Sequence, residues 1–243
     1  MPLPNAKPKE SLRKPALLLI LVLAAGTFLY AFLLPSLSDR LAEDSPLAAV
    51  LYYLSSLLSV AVLFAGAAGI VFGLVNARFS FAIISSAALL FFLFAAELLP
   101  LLVAPARADA SLAEIFSSNE DALFSRAAFD FLRVVLIWAG AFAGIAIAAR
   151  AKEKQKKRAF FLAALFTAAL LCLLPALTEL FETTIPFLSA ASRNQKNAEL
   201  PKILLEYFLF LLYGAIGFFV ERAFFRLFAR LAKKSPAAPA ARQ

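Results

Sequence analysis

The chain has 243 residues, 63% of them hydrophobic, with 24 lysines and arginines against 16 aspartates and glutamates and a formal net charge of +8. Soluble domains carry roughly 45–50% apolar residues, and a single water-facing core cannot absorb the excess, so a soluble fold is excluded. The sequence has no histidine and one cysteine, Cys172, which excludes Ser-His and Cys-His catalysis, histidine-ligated zinc or haem, an intramolecular disulfide and a cysteine metal cluster.

The apolar residues fall in runs of about twenty, which at about 1.5 Å per residue cross ~30 Å of hydrocarbon. The expectation is an all-α, polytopic integral membrane protein with six transmembrane helices. In chain order, Met1–Lys14 is rich in proline and lysine and is expected to be a disordered cytoplasmic segment ahead of the domain 15–220. The first span, Ala16–Leu34, lies between Pro15 and Pro35. Ser36-Leu37-Ser38 after it loosely resembles a signal-peptidase site, but the apolar run exceeds the usual 7–15 residues of a cleaved signal. An uncleaved first helix is expected.

The second span, Leu47–Leu74, follows Pro46 and repeats small residues every four positions at Ala61, Ala65, Gly69 and Gly73. The third, Phe81–Val103, contains Glu97 and Pro100, and Pro105 follows it. In the loop Arg107–Ala128, Ser111-x-x-Glu114 reads as a capping box opening a short surface helix, and Ser118-x-x-Asp121 as the start of a helix leading into the fourth span. That span, Phe129–Ala149, carries Gly140-x-x-x-Gly144. The fifth, Phe160–Leu177, contains Pro175, and the sixth, Ile203–Val220, follows Pro201. All eight glycines fall within these spans, where small residues let helix backbones approach closely. They are assigned to packing within the chain, with a homo-oligomer or membrane partner subunit as the alternative.

Beyond the sixth span, Phe224, Leu227, Phe228 and Leu231 recur at helical spacing, while Arg222, Arg226 and Arg230 fall four apart on another face. The segment 221–234 is expected to be a basic amphipathic helix lying along the inner leaflet and holding anionic lipid headgroups with its arginines. A cytoplasmic extension of the sixth helix and docking on a partner protein are the alternatives. The alanine- and proline-rich tail 235–243 is expected to be disordered.

Lysine and arginine accumulate on the cytoplasmic side of membrane proteins. Placing both termini inside puts 17 basic and 3 acidic residues on that side, against 7 basic and 13 acidic on the other. No loop violates the pattern, so both ends are expected in the cytoplasm of a bacterial-type plasma membrane. The positive balance is accounted for by topology and by anionic lipid at the inner leaflet, so no nucleic acid is expected as a partner.

Charges inside spans are costly and require a reason. Glu97, Asp130, Arg133, Glu179 and Glu206 all lie toward the outer face, at the level of Tyr30, Tyr52, Tyr53 and Tyr207 and of Ser55, Ser56 and Ser59. One reading is an outward-opening cavity in which these groups bind a polar or cationic ligand or carry protons. In the other, Arg126, Asp130 and Arg133, at i, i+4 and i+7, neutralise one another and pair with Glu97 or Glu206, and the tyrosines form an ordinary interfacial belt.

No Gly-x-Ser-x-Gly, His-Glu-x-x-His, glycine-rich phosphate loop or aspartate cluster is present. The chain is therefore not expected to be an enzyme or to hold a cofactor or metal. Six helices with both ends inside is also the plan of exporter permeases of the ATP-binding-cassette type and of substrate-binding subunits of energy-coupling-factor transporters. Neither is matched at the residue level: Asn76–Ser80 is too short for a coupling helix, and the first span lacks an Ala-x-x-x-Ala pattern. The expected function is a transporter or permease-type component with an outward-facing polar site. The alternative is a non-transporting structural or assembly subunit that packs through its glycine stripes and binds anionic lipid.

Overall fold

The computed structural model describes residues 12–41, 45–103, 112–150, 156–190 and 193–233. The expected disordered tail 235–243, nearly all of Met1–Lys14, and the capping residue Ser111 lie outside the described residues. Among the described residues the chain is helical almost throughout and contains no strand.

Six helices are long and apolar enough to cross a membrane, with mean hydropathies of 2.1 to 2.6 over their most apolar stretches. The first span is built from α1 (Arg13–Phe28), a π-helical turn (Leu29–Leu33) and α2 (Leu34–Ser38). The second is α3 (Pro46–Val75) and the third α4 (Phe79–Val103). The fourth is α5 (Leu112–Arg150). The fifth joins α6 (Lys156–Glu179), a second π turn (Leu180–Thr184) and α7 (Ile185–Ala190), and the sixth is α8 (Arg193–Lys233). An even number of crossings returns the chain to the face from which it starts.

Helix ends depart from the hydropathy limits where polar sequence stays helical. The loop Arg107–Ala128 was expected to hold a separate short helix, but from Leu112 onward its residues are continuous with the fourth span in a 39-residue helix. The separate interfacial helix 221–234 is likewise not formed. α8 runs through this point without interruption for 41 residues, with Pro201 inside it rather than before it. The reason lies in the aromatic residues of the last turns. Phe225 meets Phe72 at 5.3 Å between ring centroids and stacks on Phe160 at 3.6 Å, and Phe228 meets Phe72 and Phe81 at 5.9 and 6.1 Å. The apolar face of this segment is spent on the bundle, which holds it in line with the rest of α8.

Both π turns end two residues before a proline, Pro35 and Pro186. A proline ring clashes with the carbonyl four residues back and donates no hydrogen bond, and a widened turn is one way to accommodate it.

α3 is the central element: 67% of its most apolar stretch is buried, against 11% for α8. Glycine sets how closely its neighbours approach. A Cβ on Gly73 would stand 2.6 Å from the Ala82 backbone nitrogen, and one on Gly69 would stand 2.8 Å from Leu19 and Ser85 side-chain atoms. Ala65 is fully buried on the same helix, and Ala61 is half-buried. On α5, Cβ atoms at Gly140 and Gly144 would stand 2.7 and 2.2 Å from the backbone nitrogens of Thr167 and Ala163 on α6. These glycines therefore serve contacts within the chain, as α5 and α6 pack backbone to backbone.

Candidate functional site

The polar site is built from the first four spans. The first π turn supplies one wall. Its closing bond runs from the Leu34 amide to the Leu29 carbonyl, and Pro35 has no N–H to offer. The Tyr30 carbonyl is thereby left without its ordinary helical partner, and Ser55 Oγ on α3 donates to it at 2.7 Å. Ser56 Oγ donates to the Tyr52 carbonyl at 3.2 Å and Ser59 Oγ to the Ser56 carbonyl at 2.8 Å. With their protons turned to backbone, the three hydroxyls face the site as lone pairs.

Glu97 on α4 and Asp130 and Arg133 on α5 complete the lining of a cleft of about 330 Å³, together with Tyr30, Ser55, Ser56, Ser59, Val60, Leu63 and Leu93. Arg133 donates to Asp130 Oδ1 at 2.7 Å and lies 4.6 Å over the Phe129 ring. Glu97 is paired with Arg126 rather than with Arg133. The expected mutual neutralisation along Arg126, Asp130 and Arg133 is thus split into two pairs, because Arg126, one turn before Asp130, reaches across to α4. The Arg126 side chain is 64% exposed, whereas that of Asp130 is 8% exposed, so the first pair lies at the mouth of the cleft and the second is part of its wall. Below the cleft, Trp138 Nε1 donates to Ser86 Oγ at 2.9 Å and ties α5 to α4.

The other expected site residues stand apart. Tyr52 and Tyr53 are exposed, packed edge to face at 5.9 Å, and border a separate surface hollow with Ser38 and Asp39. Tyr207 shares a hydrogen bond with Thr184 at 3.1 Å at the end of an apolar groove of about 550 Å³ between α6 and α8, which Ala168, Cys172 and Gly214 help to line. Glu206 is exposed, Glu179 is half-buried, and neither borders the cleft. Depth along a helix places these residues at one level, but only the rotation of each helix decides which of them converge. Arg226 and Arg230 are exposed and Arg222 is half-buried, all on the outward side of α8.

One buried charge escaped the sequence reading. Glu221 opens the basic segment 221–234 and falls just beyond the sixth span, Ile203–Val220, as read from hydropathy. It is fully buried, with no hydrogen-bond partner for either carboxyl oxygen. A signal was present: Gly214, Gly217, Glu221, Phe228 and Ala232 share one helical stripe, and all are buried.

Among the described residues, no group of three or more acidic or cysteine side chains could hold a metal ion. Comparison with protein-family models, with curated proteins and with solved structures finds no match to this chain.

Proposed function

We propose that this membrane protein is a transporter or permease-type component whose cleft takes a small polar solute carrying an amine or other cationic group. The observation that carries this reading is the convergence, in a bundle otherwise filled with alanine, leucine and phenylalanine, of two carboxylates, three acceptor hydroxyls and one guanidinium on a single cleft. Acceptors outnumber donors there, which suits N–H groups of a cation. Arg126 acts as a removable counter-ion: an incoming ammonium replaces it at Glu97 while the guanidinium swings into water. The buried Asp130–Arg133 pair keeps the wall in shape.

The surroundings proposed with this reading are a bacterial-type plasma membrane with both termini in the cytoplasm, supported by the partition of basic residues. The exposed arginines of α8 then face anionic headgroups of the inner leaflet. A second reading, a non-transporting assembly subunit, is favoured by one observation: both carboxylates of the cleft are already paired within the chain.

Thermal unfolding of the purified protein in the presence of small amines such as ethanolamine and putrescine, with size-matched neutral polyols as controls, separates the two. The transport reading expects stabilisation by amines alone, weakened by Glu97→Gln and preserved in Arg126→Gln. Equal melting with amines and polyols would leave the subunit reading.

A further inference from the structure

Away from the cleft, in the half of the bundle nearer the chain termini, Glu221 is a carboxyl that the proposed solute site does not use. None of its surface is exposed and neither oxygen has a partner. The helix itself aims it inward. Turning α8 to expose Glu221 would also pull Gly217 from Phe64 and Phe228 from Phe72 and Phe81.

The surroundings follow from helix register. On α3, Gly217 meets Phe64 and Phe225 meets Phe72, so Glu221 stands at the level of Ala68. On α6, Gly214 meets Cys172 and Phe225 meets Phe160, which sets Glu221 at the level of Ala164. Within one turn of these levels, α3 and α6 offer only apolar residues, Gly66 and Gly69, and the Thr167 hydroxyl, and α1 from Pro15 to Leu23 is wholly apolar. The nearest cations along its own helix, Arg222 and Arg226, make no ion pair with it.

The absence of further ligands selects the ion. A calcium or magnesium ion needs about six oxygen ligands, and one carboxyl with the Thr167 hydroxyl supplies at most three. A proton needs only one carboxyl oxygen. We propose that Glu221 is an interior proton-binding site: its carboxylate takes a proton delivered by water from the face that carries the termini, becomes a neutral acid, and returns the proton to that water on release. Water gains access when the last turns of α8, which pack through Phe225 on α3 and α6, part from them. The inference stands on Glu221 alone and is independent of the solute assigned to the cleft.

The test is the infrared spectrum of the full-length protein in lipid nanodiscs as pH is raised. The expected result is a carboxylic-acid C=O band that shifts in D2O, fades reversibly with rising pH and is missing from Glu221→Gln. If that variant does not fold, Glu221→Asp carries the same test, with the band displaced rather than lost. A wild-type protein without the band, a band unchanged by either substitution, or one that persists at every pH up to unfolding would overturn the proposal.

Discussion

At the end of the bundle that carries Tyr30, Ser55, Glu97 and Asp130, polar groups from four spans meet around open space and each carboxylate has a cation. At the end that carries Phe72, Phe81, Phe160, Phe225 and Phe228, rings fill the space between helices, and the one buried carboxylate nearby, Glu221, has no partner. The difference begins in backbone geometry. In the first region a proline leaves a carbonyl free and a serine answers it, so polarity enters the bundle and an opening persists. In the second, glycine and alanine bring helices close enough for aromatic side chains to seal what remains. An ionic group is thus tolerated in the open region by pairing, and in the sealed region only as an exception that asks for its own explanation.

The sharpest way to break the sealed packing is at Gly144. A Cβ there meets Ala163 backbone at 2.2 Å, whereas at Gly69 the nearest atoms belong to the side chains of Leu19 and Ser85. Backbone cannot rotate away, so Gly144→Leu is expected to be more damaging than Gly69→Leu, with overpacking of this kind costing about 1–3 kcal/mol or more. Detergent melting curves check the order, and equal losses would show that α5 and α6 separate freely.

Glu221→Met sharpens the contrast from the opposite direction. Removing a buried group whose hydrogen bonds are unmade recovers about 1–3 kcal/mol, so this variant is expected to melt above the parent. A variant that melts below it would mean that the carboxyl is held by contacts absent from the structure.

The smallest effect concerns the turn that joins α3 to α4 at the sealed end. Ala77 has φ of +53°, and the Arg78 amide returns to the Gly73 carbonyl at 2.7 Å, which is the helix-ending arrangement usually given to glycine. Ala77→Gly is expected to stabilise by about 0.5–1 kcal/mol, measured in the same melts. A loss of stability would argue that the alanine methyl packs on something useful.

These regions were not equally legible in the sequence. Span number could be read because hydropathy reports length in lipid directly, but helix ends could not, since residues 112–128 and 221–233 are helical without being continuously apolar. The depth of Glu97, Asp130 and Arg133 could be counted along each span. The choice of Arg126 as the partner of Glu97, and the outward facing of Tyr52, Tyr53 and Glu206, depend on helix rotation, which neighbours set. The Ser55 bond to Tyr30 required the π turn, and no spacing rule announces that turn beyond the proline itself. Glu221 stands where an apolar run gives way to a basic segment, a place at which a charge reads as a flank, although its stripe with Gly214 and Gly217 was visible.

The central claim is that water and small solutes reach the cleft from the end of the bundle opposite the start of α1, while the interior at the level of Glu221 is closed from that end. Single cysteines placed at Ser59 and at Ala68, in a Cys172→Ala background, measure this directly with a charged, membrane-impermeant thiol reagent applied to intact cells. The account predicts labelling at Ser59→Cys and none at Ala68→Cys. An unreactive Ser59→Cys in a folded protein, or equal labelling at both positions, would contradict it.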